Sequence, residues 1–206
     1  MFDSISPPLE LQNQRVDLRV AKTHRLVRQA LLQLLATHEY SEIRVEDILQ
    51  EALVNRATFY KYYSCKDDLV GKMIAAVKHN INQIIDKRIQ YANLNEFLDH
   101  YLPALYALRY EILSLWKVNT PRHHLRKDMI KMVEARFKYL SQLAFPKQKE
   151  EDLNLQAYMF SHLAIDVMEY LLKQNTLPAL HNIPQHLEQI IVMMQCNFNE
   201  IPTTKI

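Results

Sequence analysis

The sequence predicts an all-α protein: an N-terminal three-helix head joined by a long fourth helix to a C-terminal helical bundle. Three observations lead there. A single glycine among 206 residues is far below the ~7% of ordinary proteins, and hairpin turns and phosphate-cradling loops consume several. Apolar residues recur three and four positions apart along most of the chain, the spacing of one helix face, and no stretch shows the period-two alternation of a half-buried strand. A composition of 49% hydrophobic and 23% charged residues buries a core without resembling a membrane or disordered chain.

Taken in order, residues 1–14 are polar, carry Pro7-Pro8 and read as a flexible arm. Asp17 is placed to cap the first helix, along which Val20, Val27, Leu31 and Leu34 form an apolar stripe that ends at His38–Ser41. Val45–Ala52 is a short helix, Leu53-Val54 a tight connection, and Asn55–Tyr63 a second short helix. Ser64 with Asp67 three residues on has the capping-box pattern, and Asp67-Asp68 suits the positive end of a helix dipole. A long helix follows, striped by Val70, Ile74, Val77, Ile81 and Ile84. Run to Tyr91, it spans roughly 40 Å. Asn93–Asn95 is the expected end of that rod, with later breaks at Asn119–Pro121, Phe145-Pro146 and Asn175–Pro184; Pro103 kinks or begins a helix between them. The organisation expected is an arm over 1–14, a head over 15–64 and a body over 65–206.

Charge and cysteine content narrow the function classes. A formal net charge of +2 carries no signal of nucleic-acid binding over the whole chain. Locally the balance differs: between Arg15 and Lys66 nine basic residues face six acidic ones. Cys65 and Cys196 have no metal-type spacing and suit free thiols in a reducing compartment. The N-terminus lacks a signal-peptide layout and no run approaches the ~20 apolar residues of a membrane span, so a cytoplasmic location is expected. Neither a nucleophile with a positioned base nor a phosphate loop is present in the sequence, and the reading is not an enzyme. His123-His124 and the His162/Asp166 pair fall short of a metal set, so no metal or other cofactor is expected.

Two short helices about a tight turn, followed by RATFYKYYSCKDDL, are the most specific feature. Residues 17–70, through DLRVAKTHRLVRQALLQLL and VEDILQEALVNRATFYKYYSCKDDLV, resemble the helix-turn-helix domain of TetR/AcrR transcriptional regulators. The resemblance covers about a quarter of the chain. It implies a homodimer that binds a palindromic operator in double-stranded DNA, more often as a repressor, and is released by a small-molecule effector. An alternative from another class is a helical regulator whose body binds a protein partner, acting as an activator.

The chemistry of the head suits DNA independently. The N-terminal end of a recognition helix enters the major groove, which points to Asn55, Arg56, Ala57 and Thr58. Arg56 can pair bidentately with guanine, and Ala57 or the Thr58 methyl can touch thymine. Lys61 and Tyr62 lie at the far end of the helix. By resemblance, Tyr60 matches the tyrosine that bonds a backbone phosphate, Lys66 the lysine at the start of helix 4 that does the same, and Phe59 the core position. Two departures stand out. Leu53 occupies a turn position where the family commonly has glycine, which strains a left-handed backbone. Arg44 replaces a threonine or serine cap and cannot accept the orphan amides, though Asp47 can bond back to its amide and Arg44 itself can reach a phosphate.

In the body, Leu153, Ala157, Phe160, Ala164, Val167 and Leu171 follow the four-and-three spacing of a helix-packing seam, as do Leu187, Ile191, Met194 and Phe198. Ordinary intrachain core explains either run. By family analogy these helices pair with their copies, making Phe160, Val167, Leu171, Ile191 and Met194 the dimer candidates. Tyr106, Tyr110, Trp116 and Phe137 are the candidates to line an effector pocket; packing explains them as well.

Overall fold

The computed structural model describes residues 9–91, 93–177 and 183–195, and these residues are helical with short connections. The first helix, α1 (Leu9–Thr37), begins inside the stretch read as an arm and places Asp17 in its interior rather than at its start. Helices α2 (Val45–Ala52) and α3 (Arg56–Tyr62) follow, then α4 (Lys66–Asp86), ending in a 3-10 turn over Lys87–Gln90. At 21 residues α4 is about 32 Å long, shorter than expected. The body continues as α5 (Leu94–Ala107), α6 (Arg109–Trp116), α7 (Leu125–Ala144), α8 (Glu150–Leu172) and α9 (Ile183–Gln195). Phe198 and Cys196 lie outside the described residues.

Cap chemistry sets several boundaries. The Asn55 side chain accepts from the Thr58 amide (2.7 Å) and starts α3. Asn93, expected to end the long helix, instead caps α5 by accepting from the Glu96 amide (2.9 Å). The cap of α4 is Cys65, not Ser64: its sulfur accepts from the Asp68 amide, while the Asp68 carboxylate accepts from the Ser64 amide (2.9 Å). The acid thus reaches the amide before the cap rather than that of the cap itself, a variant of the capping box. Its carboxylate is held below the usual range by the Ser64 amide and Lys72. Pro103 lies inside α5.

One hydrophobic core runs through the molecule. Val27, Leu31 and Leu35 of α1, Ile48 of α2 and Phe59 of α3 meet Leu69, Val70 and Met73 near the start of α4. The same core continues through Val77 and Ile81 to Ile112, Leu115, Leu125, Met129 and Ile165 of the body. Helix α4 thus buries its stripe against both ends of the protein, which is why a polar break at residue 65 does not divide the apolar interior. Elsewhere α7 packs along α8, α1 against α2 and α6, and α4 against α6 and α7.

Candidate nucleic-acid interface

The α2–turn–α3 unit is built on two fully buried rings of a seven-residue helix. Phe59 is fully buried and Tyr63, the C-cap, nearly so. Burying a side chain of this size stabilises by about 1.5–3 kcal/mol, enough to anchor a helix too short to be stable alone. Tyr63 also shares a short hydrogen bond with His24 Nδ1 of α1 (2.6 Å), and the His24 ring leans on Tyr62 at 4.7 Å. Burial and the nearby charges of Arg28 and Lys72 lower the His24 pKa, which favours the neutral ring. Lys72 of α4 donates to the Tyr62 carbonyl (2.8 Å) and so covers an orphan acceptor at the end of α3. Neither His24 nor Lys72 was marked by sequence reasoning, because their partners lie 39 and 10 residues away.

With Phe59 and Tyr63 turned inward, helical geometry turns the neighbouring positions outward. Asn55, Arg56, Ala57, Tyr60 and Lys61 are exposed, and Thr58 and Tyr62 half-buried. Arg56 pairs with Glu46 of α2 at 2.9 Å, both side chains largely in solvent, and its guanidinium lies 5.4 Å from the Tyr60 ring. A surface pair of this kind contributes about 0–1 kcal/mol and is readily exchanged for another partner. Arg44, at the N-cap of α2, is exposed and makes no side-chain cap bond; Asp47 accepts from its amide at 2.7 Å, so the acid alone closes this helix start. Leu53 holds the turn in the left-handed region at φ 52°, ψ 42°, and its amide and that of Val54 return to the carbonyls of Gln50 and Leu49.

Lys66 faces inward as well as out. Its ammonium donates to the carbonyls of Tyr40 and Ile43, each at 2.5 Å, and sits 4.1 Å from the Tyr40 ring. Burial lowers its pKa. Two of its three N–H groups are thus used to clip the α1–α2 connection to the start of α4, leaving one for an outside acceptor. Beside it, Asp67 lies 3.2 Å from His123 Nε2 in the α6–α7 connection.

Each of the four ligand candidates is engaged by a neighbouring element. The Tyr106 hydroxyl donates to the Gln174 carbonyl (2.6 Å) and that of Tyr110 to the Leu32 carbonyl (3.1 Å). Trp116 Nε1 donates to the buried Met129 sulfur (3.3 Å), and Phe137 stacks on Phe160 at 4.8 Å. Each is occupied in holding helices together. The dimer candidates also separate. Leu171 is buried within its own chain and has almost no surface left for a partner, and Val167 is half-buried, whereas Phe160, Ile191 and Met194 are exposed. The inward stripe of α8 is Leu153, Ala157, Ser161, Ile165 and Leu172, while Leu155, Tyr158, Met159, Leu163 and Tyr170 face outward. Among the described residues no helix is long and apolar enough to cross a membrane.

Comparison with known proteins places the helix-turn-helix in context. Residues 27–73 match the family model described as bacterial regulatory proteins, tetR family. A Bacillus subtilis (strain 168) protein described as an uncharacterized HTH-type transcriptional regulator, YxbF, is 26% identical over 171 residues, covering 79% of this chain. The chain spans 41% of that relative's length. A TetR transcriptional regulator from Streptococcus agalactiae 2603V superposes with a TM-score of 0.59 at 20% identity, over 88% of this chain and 98% of that one.

Proposed function

We propose that the chain, whose residues 27–73 match the tetR family of bacterial regulatory proteins, is a TetR-type cytoplasmic repressor that binds a palindromic operator as a homodimer and is released by a small-molecule effector. The observation that carries the DNA-binding part is the division of α3. Phe59 and Tyr63 lock it into the core while Arg56, Ala57, Tyr60 and Lys61 of the same two turns stand in solvent. Asn55, Arg56, Ala57 and Thr58 lead into the major groove; Arg44, Tyr60, Lys61, Tyr62 and the remaining N–H of Lys66 reach the phosphate backbone. The head over 15–64 is the DNA-binding unit, and the body over 65–206 the dimerising and sensing one.

Dimerisation through α8 and α9 is supported by their outward apolar faces, on which Leu155, Tyr158, Met159, Ile190, Ile191 and Met194 are all more than half exposed. A patch of this kind marks an interaction surface. Effector response requires unequal binding to two head positions, and α4, sharing its core with head and body alike, links them.

The test is operator binding by fluorescence anisotropy, on duplexes selected from a random pool, across a salt series. Arg56→Ala is expected to relax base preference at one position of each half-site. Tyr60→Phe is expected to weaken all sequences about equally, as loss of a phosphate contact does. Unchanged affinity and preference in both variants would remove α3 from the interface. Lys66→Ala is a poorer probe, because it also removes the bonds to Tyr40 and Ile43.

A further inference from the structure

A second site lies on the opposite side of α3 from its solvent face. Between α1, α4 and α6 an open cleft of about 590 Å³ is lined by His24, Arg25, Arg28, Tyr63, Lys72 and Glu111, among others. Its volume falls in the ordinary range of small-ligand sites, about 300–1,000 Å³. Three cations face one carboxyl, so the cleft is electropositive.

Two of those cations lack counter-ions. Arg25 and Arg28 make no ion pair among the described residues. Arg28 Nε is buried with no hydrogen-bond partner, an arrangement folded proteins rarely leave unfilled. Lys72 donates to the Tyr62 carbonyl and to Asp68, which leaves it one N–H. Glu111 is the one acid among the lining residues; burial raises its pKa and the field of Arg28 lowers it.

We propose that this cleft binds a small organic anion, its carboxylate or phosphate received by the guanidinium groups of Arg25 and Arg28 with Lys72 at the rim. The planar guanidinium matches two oxygens of either group at once, and low local dielectric strengthens such bonds. The walls come from the head (α1 and Tyr63) and from the body (Glu111 of α6), so the ligand bridges the two. That the cleft is a binding site stands without the operator reading; an effect of occupancy on operator affinity rests on it.

The experiment uses the full chain, with inorganic phosphate and succinate as probes at ionic strength held constant by chloride. The wild type should show a saturable rise in melting temperature with at least one probe, since a ligand bound only by the folded state stabilises it by mass action. Arg28→Met should abolish the rise, and Glu111→Gln, which removes the one carboxyl among the described lining residues, should tighten apparent affinity severalfold. The absence of a saturable rise with both probes overturns the proposal, as does a response of Arg28→Met equal to the wild type. Should Arg28→Met fail to fold, Glu111→Gln decides alone, and unchanged or weaker anion affinity in it rejects the site. Operator binding distinguishes the other source of phosphate. If Arg28→Met flattens the salt dependence of operator affinity while the wild type ignores both small anions, the cleft serves the DNA backbone and the proposal fails.

Discussion

Leu53 stands at φ 52° with its side chain 93% exposed, so it strains the backbone without packing in return. The left-handed region costs a residue with a Cβ roughly 1–2 kcal/mol, and glycine gives back roughly 0.5–1 kcal/mol in the unfolded chain. Leu53→Gly is therefore expected to stabilise the protein by up to about 1 kcal/mol in urea denaturation; a loss of stability would show that the leucine is compensated. Gly71, the sole glycine, presents the opposite case. A Cβ there would meet His123 Cε1 at 3.0 Å, and that ring is held by Asp67. Glycine in a helix interior costs about 1 kcal/mol against alanine. Gly71→Ala should recover that full amount in a His123→Ala background and less in the wild type, where the ring must move. Equal gains in both backgrounds would mean that the contact imposes nothing.

At the scale of elements, α6 holds the end of α1. Lys117 donates to the carbonyls of Leu35 (2.8 Å) and Ala36 (3.4 Å), and Tyr110 to that of Leu32. The last turn of α1 has no basic residue of its own, so a lysine from the body supplies the charge that complements the helix dipole. Lys117→Met is expected to cost about 1 kcal/mol, a figure kept low because the side chain is exposed. Hydrogen exchange should quicken at the C-terminal turn of α1; unchanged protection there would reduce the contact to a surface decoration. Lys117 and Tyr110 thus give the body a grip on the head besides the continuous α4.

For the whole molecule, the outward faces of α8 and α9 are the part of the surface least at ease in water. Met159→Glu combined with Met194→Glu places four carboxylates in the proposed two-fold interface while leaving the intrachain core untouched, since both side chains are exposed. Sedimentation is expected to show monomers with an unchanged fold by circular dichroism, and operator affinity to fall because each half-site is then bound singly. A variant that still sediments as a dimer would place the two-fold axis on another face.

What could be read from the sequence was local. The span of α2, the tight turn at Leu53 and the inward Phe59 follow from spacing, turn chemistry and a motif confined to neighbouring residues, and those interactions hold wherever the segment sits. Burial in α8 was not legible, because two apolar stripes share the helix at nearly equal spacing and only the packing of neighbouring helices leaves Leu171 buried and Met159 exposed. The partners of Tyr106, Tyr110, Trp116 and Phe137 were equally hidden: their bonds to Gln174, Leu32 and Met129 and the stack on Phe160 appear only after packing. The cleft of Arg28 and Glu111 belongs to the same class. Periodicity is a property of one helix, whereas a shared site between helices depends on how three of them are set against one another, and that is decided by the core they bury together.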